Sequence, residues 1–267
     1  MLPTHLAQCS LVRYLAFPCD YPKRAGLAAH EVRNVNNELP SNPAAELYQG
    51  PSGHAYHDQK RALRPEALEW VMALRAEKFQ SHVRTADVVL ELGVGAGWNL
   101  GRRHCGRRIG CDAAGFLTER VAALGVEFLT DLTAVPDGTA NVVICHHTLE
   151  HLLKPAEALR ALGRVLQPDG TLILHVPWER ERRYAHFRGD DPNHHLYNWN
   201  AQSLGNLLTV LQYRIQTISV RRYGYDRAAA NLAARLRVGP VGFRLVRRAL
   251  IALRPLREVE VIALRPK

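Results

Sequence analysis

Up to about residue 60 the hydrophobic positions of this chain show no sustained period. Prolines at 3, 18, 22, 40, 43 and 51 interrupt every run, and NVNNELPSNP has the composition of a loop. An irregular extension is expected over residues 1–60. A helical spacing begins with RPEALEWVMALRAEKFQ (64–80), where Leu68, Val71, Met72 and Leu74 recur at turn-like intervals and Pro65 suits a first turn. Beyond it, short β-rich runs alternate with helical ones. DVVLELG (87–93) is an unbroken apolar run of the buried-strand type, and RRIGCD (107–112), VEFLT (126–130), NVVICH (141–146) and TLILHVP (171–177) follow it. Between the last two lies KPAEALRALGRVL, with Ala158, Leu159, Leu162, Val165 and Leu166 on one face and QPDG as the turn that ends it.

This alternation predicts an α/β fold, a doubly wound and mostly parallel sheet with crossover helices. After Trp199, NAQSLGNLLTVL predicts another amphipathic helix, and YRIQTISVRR and REVEVIALR predict two further strands. A helical insertion at about 226–256 separates those strands, in two pieces split by Gly239-Pro240. One main domain is expected over 61–267.

Composition narrows the setting. With 47% apolar residues in 267, the chain can bury one substantial core. Five cysteines show no C-x-x-C pair, so neither a zinc knuckle nor a disulfide framework is expected. LVRYLAF is broken by Arg13 and is too short for a signal segment, and no run approaches the ~20 apolar residues of a membrane span, so a soluble cytoplasmic protein is expected. The net charge of +10 is uneven: from Arg227 onward ten Lys/Arg face Glu258 and Glu260. In the insertion Leu245, Val246, Leu250 and Leu253 alternate with Arg244, Arg247, Arg248 and Arg254, a pattern suited to packing on the domain with arginine stems at the rim, or to peripheral contact with the inner face of an anionic membrane.

Two motifs carry chemistry. ELGVGAGWN ends the first predicted strand with Gly93, Gly95 and Gly97, which allow a sharp turn and bring main-chain N–H groups close to a ligand. It lacks the sixth-position glycine of a dinucleotide fingerprint and the G-K-[ST] of a P-loop. Asp112 ends the next strand, where an acid can accept both hydroxyls of a ribose, so a nucleoside-bearing ligand is expected. The second motif is CHHTLEHL (145–152), in which His147, Glu150 and His151 spell the H-x-x-E-H of inverted zinc peptidases. Because NVVIC immediately precedes it as a strand, His147 falls in a turn rather than inside a helix, and zinc catalysis is not expected. A second histidine group, DPNHHLYNWN (191–200), follows the fifth strand and reads as a substrate lid over the same crevice.

Taken together and in order, VLELGVGAGWN, GCD, FLTDL, NVVICHHTLEHLLKP and LQPDGTLILHVP resemble class I S-adenosylmethionine-dependent methyltransferases, from about Asp87 to Leu211. The resemblance is nearest to the small-molecule branch of ubiquinone-biosynthesis-type and polysaccharide or natural-product enzymes. It implies a seven-stranded Rossmann-like sheet closed by an antiparallel hairpin, with S-adenosylmethionine as cofactor. By the same resemblance Glu91 and the backbone of Gly93, Gly95 and Gly97 would hold the methionine end and Asp112 the ribose. Asp131 would bind the adenine amino group, with Leu132 in main-chain contact, and His146 would face the sulfonium methyl. Catechol-type relatives carry a metal-binding aspartate where His146 stands, so no metal is expected. Family members often have a histidine at the place of His195.

The expected reaction is methyl transfer to an O or N nucleophile of a small molecule, sugar or lipid-linked acceptor. His146 and His195 are the expected general bases, since imidazole suits proton removal near neutral pH. Without an aromatic-interleaved basic patch, nucleic acid is not the expected partner. The alternatives are an RNA methyltransferase that uses the basic surface, or a non-catalytic cofactor-binding protein.

Overall fold

The computed structural model describes residues 46–60, 62–178, 186–187, 191 and 193–266, all within the unit Ser41–Lys267; the unit Met1–Pro40 lies outside them. The seven strands are β1 (Val88–Leu92), β2 (Arg107–Cys111), β3 (Glu127–Leu129), β4 (Ala140–His146), β5 (Leu166–Pro177), β6 (Arg214–Tyr223) and β7 (Leu256–Leu264). They form one sheet in the order β3-β2-β1-β4-β5-β7-β6. The first five are parallel, and β7 runs antiparallel to both β5 and β6. The chain winds outward from β1 through β2 to β3, then returns to the other side of β1 with β4. That reversal leaves a crevice over the carboxyl ends of β1 and β4, the place where open α/β sheets bind ligands.

Among the described residues the helices are α1 (Gly50–Lys60), α2 (Pro65–Gln80), α3 (Thr118–Ala122), α4 (Pro155–Val165), α5 (Ala201–Val210), α6 (Asp226–Arg235) and α7 (Gly239–Leu253). Short 3-10 turns follow β2, β3 and β4. Alternation along the strands sends successive side chains to opposite faces. Leu90, Val143, Cys145, Leu172, Leu174, Val259 and Val261 pack beneath α4 and α5, against Leu159, Leu162, Leu204 and Leu208. On the other face Val89, Val142, Ile144, Ile173 and Ile262 pack with Phe79 of α2 and Val121 of α3. Both faces are covered, which is why the central strands read as apolar runs rather than as an alternating pattern.

The QPDG turn leaves the ladder inside β5: Ala140 pairs with Leu166, yet Val142 pairs with Thr171, so residues 167–170 bulge out with Asp169 in the left-handed region. At the start of α5, Asn200 caps the helix by accepting from Ser203 N at 2.8 Å.

The insertion before β7 is helical as expected, α6 and α7. Its inner face packs on the domain: Ala229, Ala230, Ala233, Ala234 and Phe243 form a third core with Ala67, Val71 and Met72 of α2. Arg244 pairs with Glu77, and Arg247 with Asp226. The predicted apolar stripe is divided. Val246 and Leu250 pack against the third core, while Leu245 and Leu253 are exposed, Leu253 to 83%.

The expected irregular extension needs correction at its end. Residues 50–60 form α1, although GPSGHAYHDQK has no apolar stripe and two glycines. Contacts hold it in place: His54 stacks on Phe116 at 3.9 Å, and His57 meets the same ring edge-on. Residues 1–45 of the extension lie outside the described residues.

Candidate active site

The predicted site residues gather at the carboxyl edge of the sheet. Gly93, Gly95 and Gly97 all have positive φ, 75°, 51° and 77°, where a side chain would strain the backbone. A Cβ on Gly93 would also collide with Thr148 of the turn after β4, so the glycine lets the two loops meet. Asp112 ties the next strand to this loop: Oδ2 accepts from Gly95 N at 2.7 Å and Oδ1 from Ala114 N at 3.0 Å. An ionised carboxylate offers about four lone-pair positions, so both oxygens retain capacity for ligand hydroxyls.

Asp131 lies just past β3, exposed, and caps the following 3-10 turn by accepting from Thr133 N at 2.8 Å; that bond holds its pKa below the ordinary carboxylate value. Leu132 is half-buried, and its carbonyl accepts from Arg164. Glu91 is fully buried beneath the loop, where it accepts from the side-chain amide of Asn99. Asn99 itself lines the cleft. Glu91 thus stands behind the crevice and positions a neighbour.

The cleft has a volume of about 1060 Å³, and its walls include Gly93, Trp98, Asn99, His146, His147 and His195. One of its two buried carboxylates could not be singled out from the sequence. Glu258 of β7, 2% exposed, places Oε1 2.6 Å from Lys78 Nζ and 3.2 Å from His175 Nδ1, and Oε2 3.0 Å from His147 Nε2. Lys78 Nζ also lies 3.1 Å from His146 Nε2, and the rings of His146 and His147 stack at 4.4 Å. α2, β4, β5 and β7 therefore each contribute to one buried cluster.

Its electrostatics follow from burial and one carboxylate. Burial lowers the pKa of all three histidines, helped at each by the Lys78 charge and opposed by Glu258; His175 falls to about 4. The imidazoles are neutral at physiological pH. Burial alone would raise the Glu258 carboxyl, but hydrogen bonds from His147 and His175 and the Lys78 ammonium hold it well below the usual carboxylate range. Burial lowers Lys78 as well, while Glu258 works against the change.

The H-x-x-E-H string divides between two groups. His147 has φ 53°, a left-handed residue immediately after β4, and it turns toward Glu258. Glu150 and His151 sit on the next 3-10 turn and face His195, whose ring centroid is 4.9 Å from that of His151. The peptidase geometry, with two histidines one helical turn apart, does not form. The two expected bases are likewise separated: His146 belongs to the Glu258 cluster and His195 to the Glu150 group.

Residues 55–218, more than half of the chain, match the methyltransferase-domain family, and the chain belongs to it. The matched segment is a methyltransferase domain of the class I fold, the kind of domain that works with S-adenosylmethionine. An uncharacterised 37.1 kDa protein of a Streptomyces fradiae transposon is 33% identical over 111 residues, covering 36% of this chain and 32% of that protein. A probable tRNA methyltransferase 9B of Homo sapiens is 26% identical over 133 residues, 47% of this chain and 28% of that one. The chain spans about a third of the length of these curated relatives. Among solved structures, a methyltransferase from Bacillus halodurans superposes with a TM-score of 0.53 at 14% identity, covering 73% of this chain and 99% of that one. A Haemonchus contortus phosphoethanolamine N-methyltransferase gives 0.52 at 14% identity, covering 79% and 59%. These superpositions speak to the fold alone.

Proposed function

We propose that the chain methylates an O or N nucleophile of a small molecule, sugar or lipid-linked acceptor bound in the cleft beside His146 and His147. When bound, S-adenosylmethionine supplies an electrophilic methyl group on a sulfonium centre. Asp112 takes the ribose hydroxyls, the Gly93–Gly97 backbone approaches the methionine end, with Glu91 and Asn99 behind it, and Asp131 and Leu132 serve the adenine. What the protein adds to the reaction is alignment, exclusion of water and a place for the acceptor's proton.

The observation that carries this reading is the carboxylate behind the imidazoles. A neutral imidazole facing a carboxylate donates its N–H to it, so His147 gives Nε2–H to Glu258 and keeps the lone pair on Nδ1. His146, the base expected from sequence, has Nε2 against the Lys78 ammonium, an arrangement in which that lone pair is engaged. His147 is thus the better proton acceptor and His146 a positioning neighbour. Proton transfer of this kind contributes roughly 10²–10⁴-fold. His147→Ala should therefore keep cofactor affinity and lose turnover on that scale, whereas His146→Gln should lose less. The assay is methyl transfer from labelled cofactor to a panel of hydroxylated small molecules, sugars and lipid-linked intermediates. Full turnover by the His147 variant on an accepted substrate would falsify the assignment.

A lipid-linked acceptor draws support from the outer surface of α6 and α7. Leu236, Val238, Val241, Leu245 and Leu253 are exposed there, and residues 227–257 hold eight arginines and no acid. Apolar side chains ringed by cations suit an anionic bilayer surface, and no helix among the described residues is long and apolar enough to cross one. Co-sedimentation with anionic vesicles, lost on Leu245→Glu, tests this contact; failure to sediment at low salt ends it. A second reading, RNA methylation, rests on the tRNA-methyltransferase name of the human relative and on the same arginines. Transfer to a tRNA transcript, declining steeply with salt, would favour it over the small-molecule reading.

A further inference from the structure

We infer that Glu150, His151 and His195 bind a divalent transition-metal ion at the cleft wall. Their ligating atoms, one carboxylate oxygen and two ring nitrogens, all lie within 4.8 Å of one another. Two imidazoles and one carboxylate on one side, with the remaining positions open to a cleft, form the donor set of catalytic zinc sites and of facial-triad iron sites.

Two observations go beyond proximity. The first is orientation. Tyr48 Oη lies 2.8 Å from His151 Nδ1, which directs Nε2 toward Glu150 Oε1 at 3.9 Å. A ligating histidine commonly has its other ring nitrogen held in this way, which fixes both tautomer and ring. The second is preorganisation. The segment carrying His195 is pinned to the turn carrying Glu150, since Leu196 N and Tyr197 N both donate to Glu150 O, at 2.8 and 3.2 Å, and Tyr197 Oη donates to Leu153 O at 2.9 Å. Distant parts of the chain thus meet in one register before any ion arrives.

The neighbouring group of His146, His147 and Glu258 also brings ligating atoms within 4.8 Å. There Lys78 Nζ sits among the would-be ligands, 2.6 Å from Glu258 and 3.1 Å from His146. A divalent ion would have to displace an ammonium from its carboxylate. The two groups also line one cleft with different duties. An acceptor hydroxyl coordinated at Glu150, His151 and His195 gives up its proton more readily, and His147 Nδ1 can receive it. This duty rests on the methyl-transfer reading, whereas the binding of the ion does not.

The test is a tag-free full chain stripped with chelator and titrated with Zn²⁺ by calorimetry and with Co²⁺ by visible absorption, at constant pH. One ion per chain is expected. His151→Ala and His195→Gln should each weaken binding at least tenfold, and Tyr48→Phe by roughly 10–100-fold, the usual effect of losing the partner that orients a ligand. Glu258→Gln should leave affinity unchanged, and circular dichroism of each variant shows whether it is folded. Absence of saturable binding to the wild-type chain overturns the inference. So does binding that survives the paired His151 and His195 substitutions, or that depends instead on His147 and Glu258. None of these outcomes requires an acceptor, so failure of the site is distinct from failure of the methyl-transfer reading.

Discussion

Mild acid should destabilise this protein through its histidine cluster, well before its carboxylates begin to protonate. His175 is the clearest member: its side chain is 1% exposed, and burial, with the Lys78 charge, brings its pKa from 6.5 to about 4. In the unfolded chain the imidazole takes a proton once the pH falls below 6.5; in the folded chain it stays neutral until about 4. Its contribution to stability is therefore complete above that higher value, declines as the pH falls, and is gone at the lower one. The difference amounts to about 3 kcal/mol, with a limiting slope of about 1.4 kcal/mol per pH unit for each such histidine. His146 and His147 are shifted in the same direction, so their losses fall in the same interval. Glu258 acts later, because its lowered pKa is linked to stability only below the ordinary carboxyl value of 4.5. Against a typical total of about 5–15 kcal/mol, a loss of this size is easily measured. Urea unfolding between about pH 7.5 and about pH 5 should show a falling midpoint at constant m-value, and His175→Asn should be shallower by up to one proton's worth of slope. Flat stability across that range, or an equally steep decline in the variant, refutes the buried neutral cluster.

Other outcomes follow from single contacts. Asp112→Ala removes the acid expected to hold the ribose and should weaken S-adenosylmethionine binding at least tenfold, about 1.4 kcal/mol, by calorimetry; equal affinity would remove that role. Phe243→Ala empties a side chain 1% exposed in the third core and should cost about 3–5 kcal/mol in chemical unfolding, with hydrogen exchange rising first in α6 and α7. Asn200→Ala removes the capping bond to Ser203 and should cost about 1 kcal/mol, whereas Asn200→Asp should restore most of it.

The parallel half of the sheet was legible because its central strands are covered on both faces and so read as apolar runs. The glycine loop and Asp112 were legible because backbone chemistry and topology fix where they must lie. α1 was not, since its residues carry no periodic apolar face and its place depends on Phe116, far along the chain. Lys78 and Glu258 were hidden for a different reason. Lys78 sits in an amphipathic helix and Glu258 in the alternating run REVEVIAL, where both look like solvent-facing charges. The face of β7 that carries Glu258 is covered by Lys78 of α2 and by His147 and His175, however, and the glutamate is buried. Spacing alone grouped His147 with His151; the left-handed backbone at His147 separates them.

The order of the strands also bears on how this molecule avoids its own kind. Among the described residues the sheet ends in β3 on one side and β6 on the other. β3 is three residues long, too short to template a neighbour. β6 is ten residues long and would be an inviting ledge, but charged side chains lie along it: Arg222, and Arg214 and Arg221 with their partners Asp169 and Glu260. The arginine content that first suggests a polyanionic partner thus also lines the sheet's long edge with charges of the kind that disfavour strand-to-strand pairing.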